Sequence, residues 1–89
     1  MGEVELQISN ALGLHARAAS RFVHLANRFK SKITVSKGGS TVNGKSILGL
    51  LTLAASKGTR LRVVADGEDA DQALAELGEL VRGRFGEGA

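Results

Sequence analysis

The apolar residues of this chain recur at two different intervals, and the order in which those intervals alternate restricts the fold. Val4, Leu6 and Ile8 alternate with Glu3, Glu5 and Gln7, the pattern of a half-buried strand. Residues 9–15 form a loop that contains Gly13. From Ala16 the interval becomes three and four. Ala16, Ala19, Phe22, Val23, Ala26 and Phe29 mark an amphipathic helix to about Arg28. Ile33 and Val35 then alternate with Lys32, Thr34 and Ser36 in a second strand. Lys37-Gly38-Gly39-Ser40 supplies a hairpin turn. Thr41 and Val42 begin a short third strand that Asn43-Gly44 ends. Ser46 caps a short helix running to about Ala54, closed by Lys57-Gly58. Leu61, Val63 and Ala65 give a fourth strand. Asp66 to Asp69 is a turn. Ala70, Ala73, Leu74, Leu77, Leu80 and Val81 place a last helix that ends near Gly83. The order β-α-β-β-α-β-α predicts an α+β fold, an open-faced sandwich with a four-stranded, mainly antiparallel sheet and three helices on one face.

A chain of 89 residues makes one small domain, residues 1–89, and buries roughly 60–65% of its unfolded surface. The sequence holds no cysteine and two histidines, His15 and His24. Disulfides, thiolate chemistry and cysteine metal sites are excluded, and no metal centre is expected. The lack of cysteine fits a cytoplasmic protein. The longest apolar run, Ile47 to Ala55, is far short of the ~20 residues of a membrane span. The N-terminus is acidic and reads as a strand rather than a signal peptide. Residues 1–45 carry seven Lys/Arg against two Glu, whereas residues 46–89 carry five against seven acids. The basic part suggests an anionic partner. The three Phe lie outside the strands and Tyr and Trp are absent, so no stacking platform exists, which argues against single-stranded nucleic acid; no nucleic-acid partner is expected.

The middle helix is apolar nearly all round, with Ile47, Leu48, Leu50, Leu51, Leu53 and Ala54. So short a helix cannot bury every side against one sheet. Some of Ile47, Leu48 and Leu51 are therefore expected to remain exposed as a docking patch, unless the third helix covers them.

His15 lies between Gly13-Leu14 and the start of the first helix. Its ring can reach the helix N-terminus, with its unpaired N–H groups and positive dipole end. Arg17 stands two residues on. The constellation suits an anion beside an imidazole, and its positive surroundings favour an uncharged, nucleophilic ring. Taken alone, the same placement also fits a histidine that merely ends a loop beside a solvated arginine.

The wider string Asn10-Ala11-Leu12-Gly13-Leu14-His15-Ala16-Arg17-Ala18-Ala19 resembles the active-site signature of the HPr family. These are the histidine-containing phosphocarriers of the bacterial phosphoenolpyruvate-dependent sugar phosphotransferase system. Val42-Asn43-Gly44-Lys45-Ser46-Ile47-Leu48-Gly49-Leu50-Leu51 resembles the family's regulatory-serine helix. The resemblance covers essentially the whole chain. Ala18 departs from the family's commonest form, which has proline there. Alanine restores a backbone donor in the turn facing His15, which suggests that the Ala18 N–H serves a bound phosphoryl group.

The resemblance implies that His15 accepts a phosphoryl group on Nδ1 from phosphorylated enzyme I and passes it to the IIA domain of a sugar permease. Arg17 would stabilise the group in transit. Ser46 would be a regulatory site for HPr kinase/phosphorylase, beyond its plain role as a helix cap. Ser20, Ile47, Leu48 and Leu51 would dock partners. His24, on the helix face shared with Arg17 and Arg21, is read as a solvated residue. The implied protein is a cofactor-free, cytoplasmic, monomeric carrier without independent catalysis, since the sequence offers no carboxylate dyad or glycine-rich ATP loop. Two rivals remain: a regulatory module acting by docking alone, and a nitrogen-related paralogue on the same fold.

Overall fold

The computed structural model describes residues 1–88. Its elements are β1 (Gly2–Gln7), α1 (Ala16–Ala26), β2 (Lys32–Lys37), β3 (Ser40–Asn43), α2 (Ile47–Thr52), β4 (Arg60–Asp66) and α3 (Ala70–Arg82), followed by a 3-10 turn at Arg84–Gly86. The four strands pair antiparallel in the order β1-β4-β2-β3. The predicted open-faced sandwich is the observed fold.

The period of two sets the sheet's inner face. Leu6 lies opposite Leu61, and Val63 stands between Val4 and Val35. Leu6, Ile33, Val35, Leu61, Val63 and Ala65 are buried beneath the helices. The outward residues are polar, with Arg60 facing Glu5 at 3.6 Å and Arg62 facing Glu3 at 3.5 Å. Such exposed pairs contribute little, so burial of the inner face carries the sheet's stability.

Helix α1 buries Ala18, Ala19, Phe22, Val23 and Ala26. Ala16, which the spacing puts on that stripe, is exposed, and Ala18 takes its place. Both helix ends fall earlier than their patterns suggest. Helix α1 stops at Ala26 rather than Arg28, and α2 at Thr52 rather than Ala54. At α2 the cause is visible: Ala54 turns left-handed, with φ 50°. The Lys37 ammonium also donates to the carbonyls of Leu53 at 3.0 Å and Ala54 at 3.4 Å, groups that further helix would otherwise satisfy. At the far end of the fold, the Asp69 carboxylate accepts from the Ser31 hydroxyl at 2.5 Å and from the amides of Lys30 and Ser31 at 2.8 and 3.0 Å. It thereby ties the start of α3 to the entry of β2. These bonds, the Ser31 hydroxyl first, hold the Asp69 carboxyl below its ordinary value.

The loop between β1 and α1 is stitched to the segment after α2. The Ile8 N–H donates to Thr59 O (2.9 Å), the Ile8 carbonyl accepts from the Gly58 N–H (2.7 Å), and the Leu14 N–H reaches Ala55 O at 2.8 Å. Gly13 is required at the crossing point. Its φ is +67°, and a Cβ there would lie 2.5 Å from Ala55 O, well inside contact distance. The loop therefore delivers His15 to one place at the head of α1.

Ala54 adopts a conformation that costs a residue with a Cβ about 1–2 kcal/mol at an exposed helix end that favours glycine. Ala54→Gly is expected to stabilise the protein by about 0.5–1 kcal/mol, read as a raised midpoint in urea unfolding with an unchanged slope.

Candidate functional site

His15 is the N-cap of α1, in extended backbone at φ −77° and ψ 179°. Serine or aspartate usually accepts the free amides at such a position. Here the imidazole does so: Nδ1 accepts from the Arg17 N–H at 3.3 Å. The opposite ring nitrogen, Nε2, meets the carboxylate of Glu87 through Oε2. The other carboxylate oxygen, Oε1, accepts from the Asn10 amide at 2.9 Å.

Asn10 is fully buried. Its Nδ2 also donates to Gly13 O at 2.7 Å, so the side chain braces the loop and Glu87 together. Turning the amide over would set oxygen against two acceptors. In the observed orientation Oδ1 has no partner among the described residues, a cost of roughly 1–3 kcal/mol set against two donations.

Glu87 reaches His15 because the chain after α3 doubles back. Arg84, Phe85 and Gly86 have φ of 58°, 55° and 78°, a left-handed turn. Phe85 is buried in the core, with its turn packed on α1 and α3, and the Arg21 guanidinium donates to the Phe85 carbonyl. The hydrogen bond from His15 holds the Glu87 carboxyl below its ordinary value. Asn10 adds to this, as do the charges of His15 and Arg21, while burial works the other way.

In the neutral ring these contacts assign the proton to one nitrogen. A backbone N–H can only donate, so Nδ1 presents its lone pair. An ionised carboxylate can only accept, so Nε2 carries the proton. Sequence reasoning surrounds the ring with positive charge alone. The structure sets a carboxylate against it, on the side away from the helix end.

His15 remains 26% exposed, and Arg17 is an exposed residue of the first turn of α1. The backbone amide that meets the ring is Arg17's, not that of Ala18, whose methyl group is fully buried. No group of three or more metal-ligating side chains occurs among the described residues. None of the described helices is long and apolar enough to cross a membrane.

Ser46 caps α2, its hydroxyl accepting from the Gly49 N–H at 3.0 Å. Ile47 and Leu48 are 40% and 77% exposed, whereas Leu51 is half-buried against the core. Helix α2 packs on α1 and β3, and the third helix leaves those side chains uncovered. Leu12, in the loop ahead of His15, is 73% exposed, a further exposed apolar side chain outside α2 that sequence reasoning did not single out. Ser20 and His24 lie exposed on α1.

Asn10, Arg21 and Glu87 are the parts of the site that sequence reasoning did not single out. Glu87 stands 72 residues from its histidine, beyond the last periodic pattern. The one signal for it is Phe85, a large apolar side chain following the glycine that ends α3.

The sequence profile of the family described as "PTS HPr component phosphorylation site" matches residues 3–83. The chain belongs to the HPr family. It is 51% identical over 83 residues to the phosphocarrier protein HPr of Neisseria meningitidis, covering 93% of each chain. It is 49% identical over 87 residues to that of Xylella fastidiosa, covering 98% of each. The crystal structure of HPr-C-His from Thermoanaerobacter tengcongensis superposes over the whole of both chains with a TM-score of 0.96 at 42% identity. HPr is the phosphocarrier of the phosphotransferase system, so phosphoryl transfer is the chemistry against which this site is to be judged.

Because the Glu87 carboxyl is held below its ordinary 4.5, its contribution to docking the turn is fully present above that value. It is lost as the pH falls through the lower, folded value. In an acid titration followed by NMR, the amides of Phe85 and Glu87 should shift together with the His15 ring, and Glu87→Gln should abolish that joint transition.

Proposed function

We propose that His15 accepts a phosphoryl group on Nδ1 from phosphorylated enzyme I and passes it to the IIA domains of sugar permeases. The observation that carries this reading is the Nδ1 lone pair, held at the N-terminus of α1 two residues ahead of the exposed Arg17. The Nδ1 contact to the Arg17 N–H is long enough to be given up. As Nδ1 forms its bond to phosphorus, that N–H turns to a phosphoryl oxygen, where the helix dipole and the Arg17 guanidinium favour negative charge. The ring is open to solvent, so donor and acceptor can each approach in line. A carrier must not bind its cargo too tightly, and one arginine with one helix end gives moderate stabilisation. A reading by docking alone leaves the directed hydrogen bonds of His15 without a purpose.

The apolar side chains of Leu12, Ile47 and Leu48, with Leu51 at their margin and Ser20 on α1, form the docking surface in this reading. Ser46 is the regulatory position. A phosphate there would face the α2 dipole while adding charge next to Ile47. The protein acts in the cytoplasm, as a monomer. A dimer has been solved for the HPr of Thermoanaerobacter tengcongensis, so gel filtration against a size standard decides the second point.

Incubation with enzyme I and phosphoenolpyruvate should place an acid-labile, base-stable phosphate on the protein. His15→Ala should abolish the labelling. The variant should stay folded, losing about 0.5–2 kcal/mol as a cap is removed. Labelling of the variant would refute the assignment.

Leu48→Ser should slow transfer from enzyme I while costing under about 1.5 kcal/mol of stability, since an exposed side chain contributes little burial. Transfer kinetics and urea unfolding of the same variant separate the two effects. A loss of several kcal/mol would place Leu48 in the core.

A further inference from the structure

Phosphoryl transfer through Nδ1 does not by itself call for a carboxylate, yet Glu87 is held against the opposite ring nitrogen. We infer that Glu87 is a positioning residue that keeps the proton on Nε2 of His15 through the whole transfer cycle. The inference rests on His15 being the acceptor.

The electron count shows why the proton matters. On acceptance, the Nδ1 lone pair forms the bond to phosphorus while the bond from phosphorus to the donor nitrogen breaks, its electrons returning to the donor. The His15 ring, still protonated at Nε2, becomes a cation paired with the Glu87 carboxylate. On delivery, an acceptor lone pair attacks phosphorus and the Nδ1–P electrons return to Nδ1. The ring leaves as neutral imidazole, and no proton has moved. Were Nε2 to lose its proton while Nδ1 carries the phosphoryl group, the leaving group would be an imidazolate, and delivery would stall.

Glu87 is placed to prevent that loss. Its Oε1 is occupied by the buried Asn10 amide at 2.9 Å, which leaves Oε2 for the ring. The Phe85 anchor and the Arg21 bond to the Phe85 carbonyl hold the turn in place. The charged side chains on the first turns of α1, Arg17 and Arg21, are both positive, so the carboxylate that faces the ring has to come from Glu87.

The test uses the whole protein, its isosteric variant Glu87→Gln and a second variant, Glu87→Ala, all labelled with 15N and phosphorylated by enzyme I. At mildly alkaline pH the phosphorylated parent should keep a protonated, pyrrole-type 15N signal at Nε2, and both variants should show the unprotonated, pyridine-type signal. Delivery to a IIA domain should be about tenfold slower in Glu87→Gln, as expected for losing one charge-assisted hydrogen bond. A labelled parent whose variants match it in Nε2 signal or in delivery rate overturns this inference alone. A parent that takes no phosphoryl group overturns the acceptor assignment and this inference with it.

Discussion

The imidazole of His15 is held between a group that can only donate and a group that can only accept, and much of the molecule serves to keep those groups in place. The donor is the second amide of α1. It is in position because Gly13 lets the preceding loop cross within contact of Ala55 O, and because Leu14 is bonded to the same carbonyl. The acceptor is Glu87, set by a turn that packs on α1 and α3. Asn10 joins the two sides, since one buried amide group grips both Gly13 O and the Glu87 carboxylate. A histidine in this setting has its tautomer chosen by its neighbours rather than by solvent.

Magnitudes indicate which part of this arrangement is most easily disturbed. Full burial of Phe85 is worth about 1.5–3 kcal/mol. Left-handed backbone at Arg84 and Phe85 costs about 1–2 kcal/mol for each residue. The two nearly cancel, so the turn stays closed through its polar contacts: Arg21 on the Phe85 carbonyl, and Glu87 between His15 and Asn10. The carboxylate and the imidazole therefore depend on each other. The sheet and the stripes of α1 and α3 rest instead on buried apolar surface and are insensitive to either group.

Much of the fold was legible in the sequence, because the two hydrophobic periods are physical consequences of strand and helix geometry. The register of Leu6 with Leu61 and of Val35 with Val63 follows from that alternation once the strands pair. The ends of the helices were less legible. The left-handed turn at Ala54, supported by Lys37 from another element, is a tertiary effect that no local pattern announces. The site divided in the same way. His15, Arg17 and Ser46 stand at helix starts, where capping chemistry marks them, and the apolar surplus of α2 pointed to Ile47 and Leu48. Glu87 has no periodic context, and nothing local distinguishes a glutamate that finds a histidine 72 residues away from one that faces water. Asn10 lay within the family signature, but its burial and its two acceptors become visible only when the loop is closed.

The claim on which this account stands is that the resting His15 ring carries its proton on Nε2 and its lone pair on Nδ1. Nitrogen-15 NMR of the unphosphorylated protein at a pH where the ring is neutral reads both nitrogens directly. The account predicts a pyrrole-type signal at Nε2 whose proton exchanges slowly with water, and a pyridine-type signal at Nδ1. A proton on Nδ1, or two averaged signals from a ring that samples both tautomers, would contradict it.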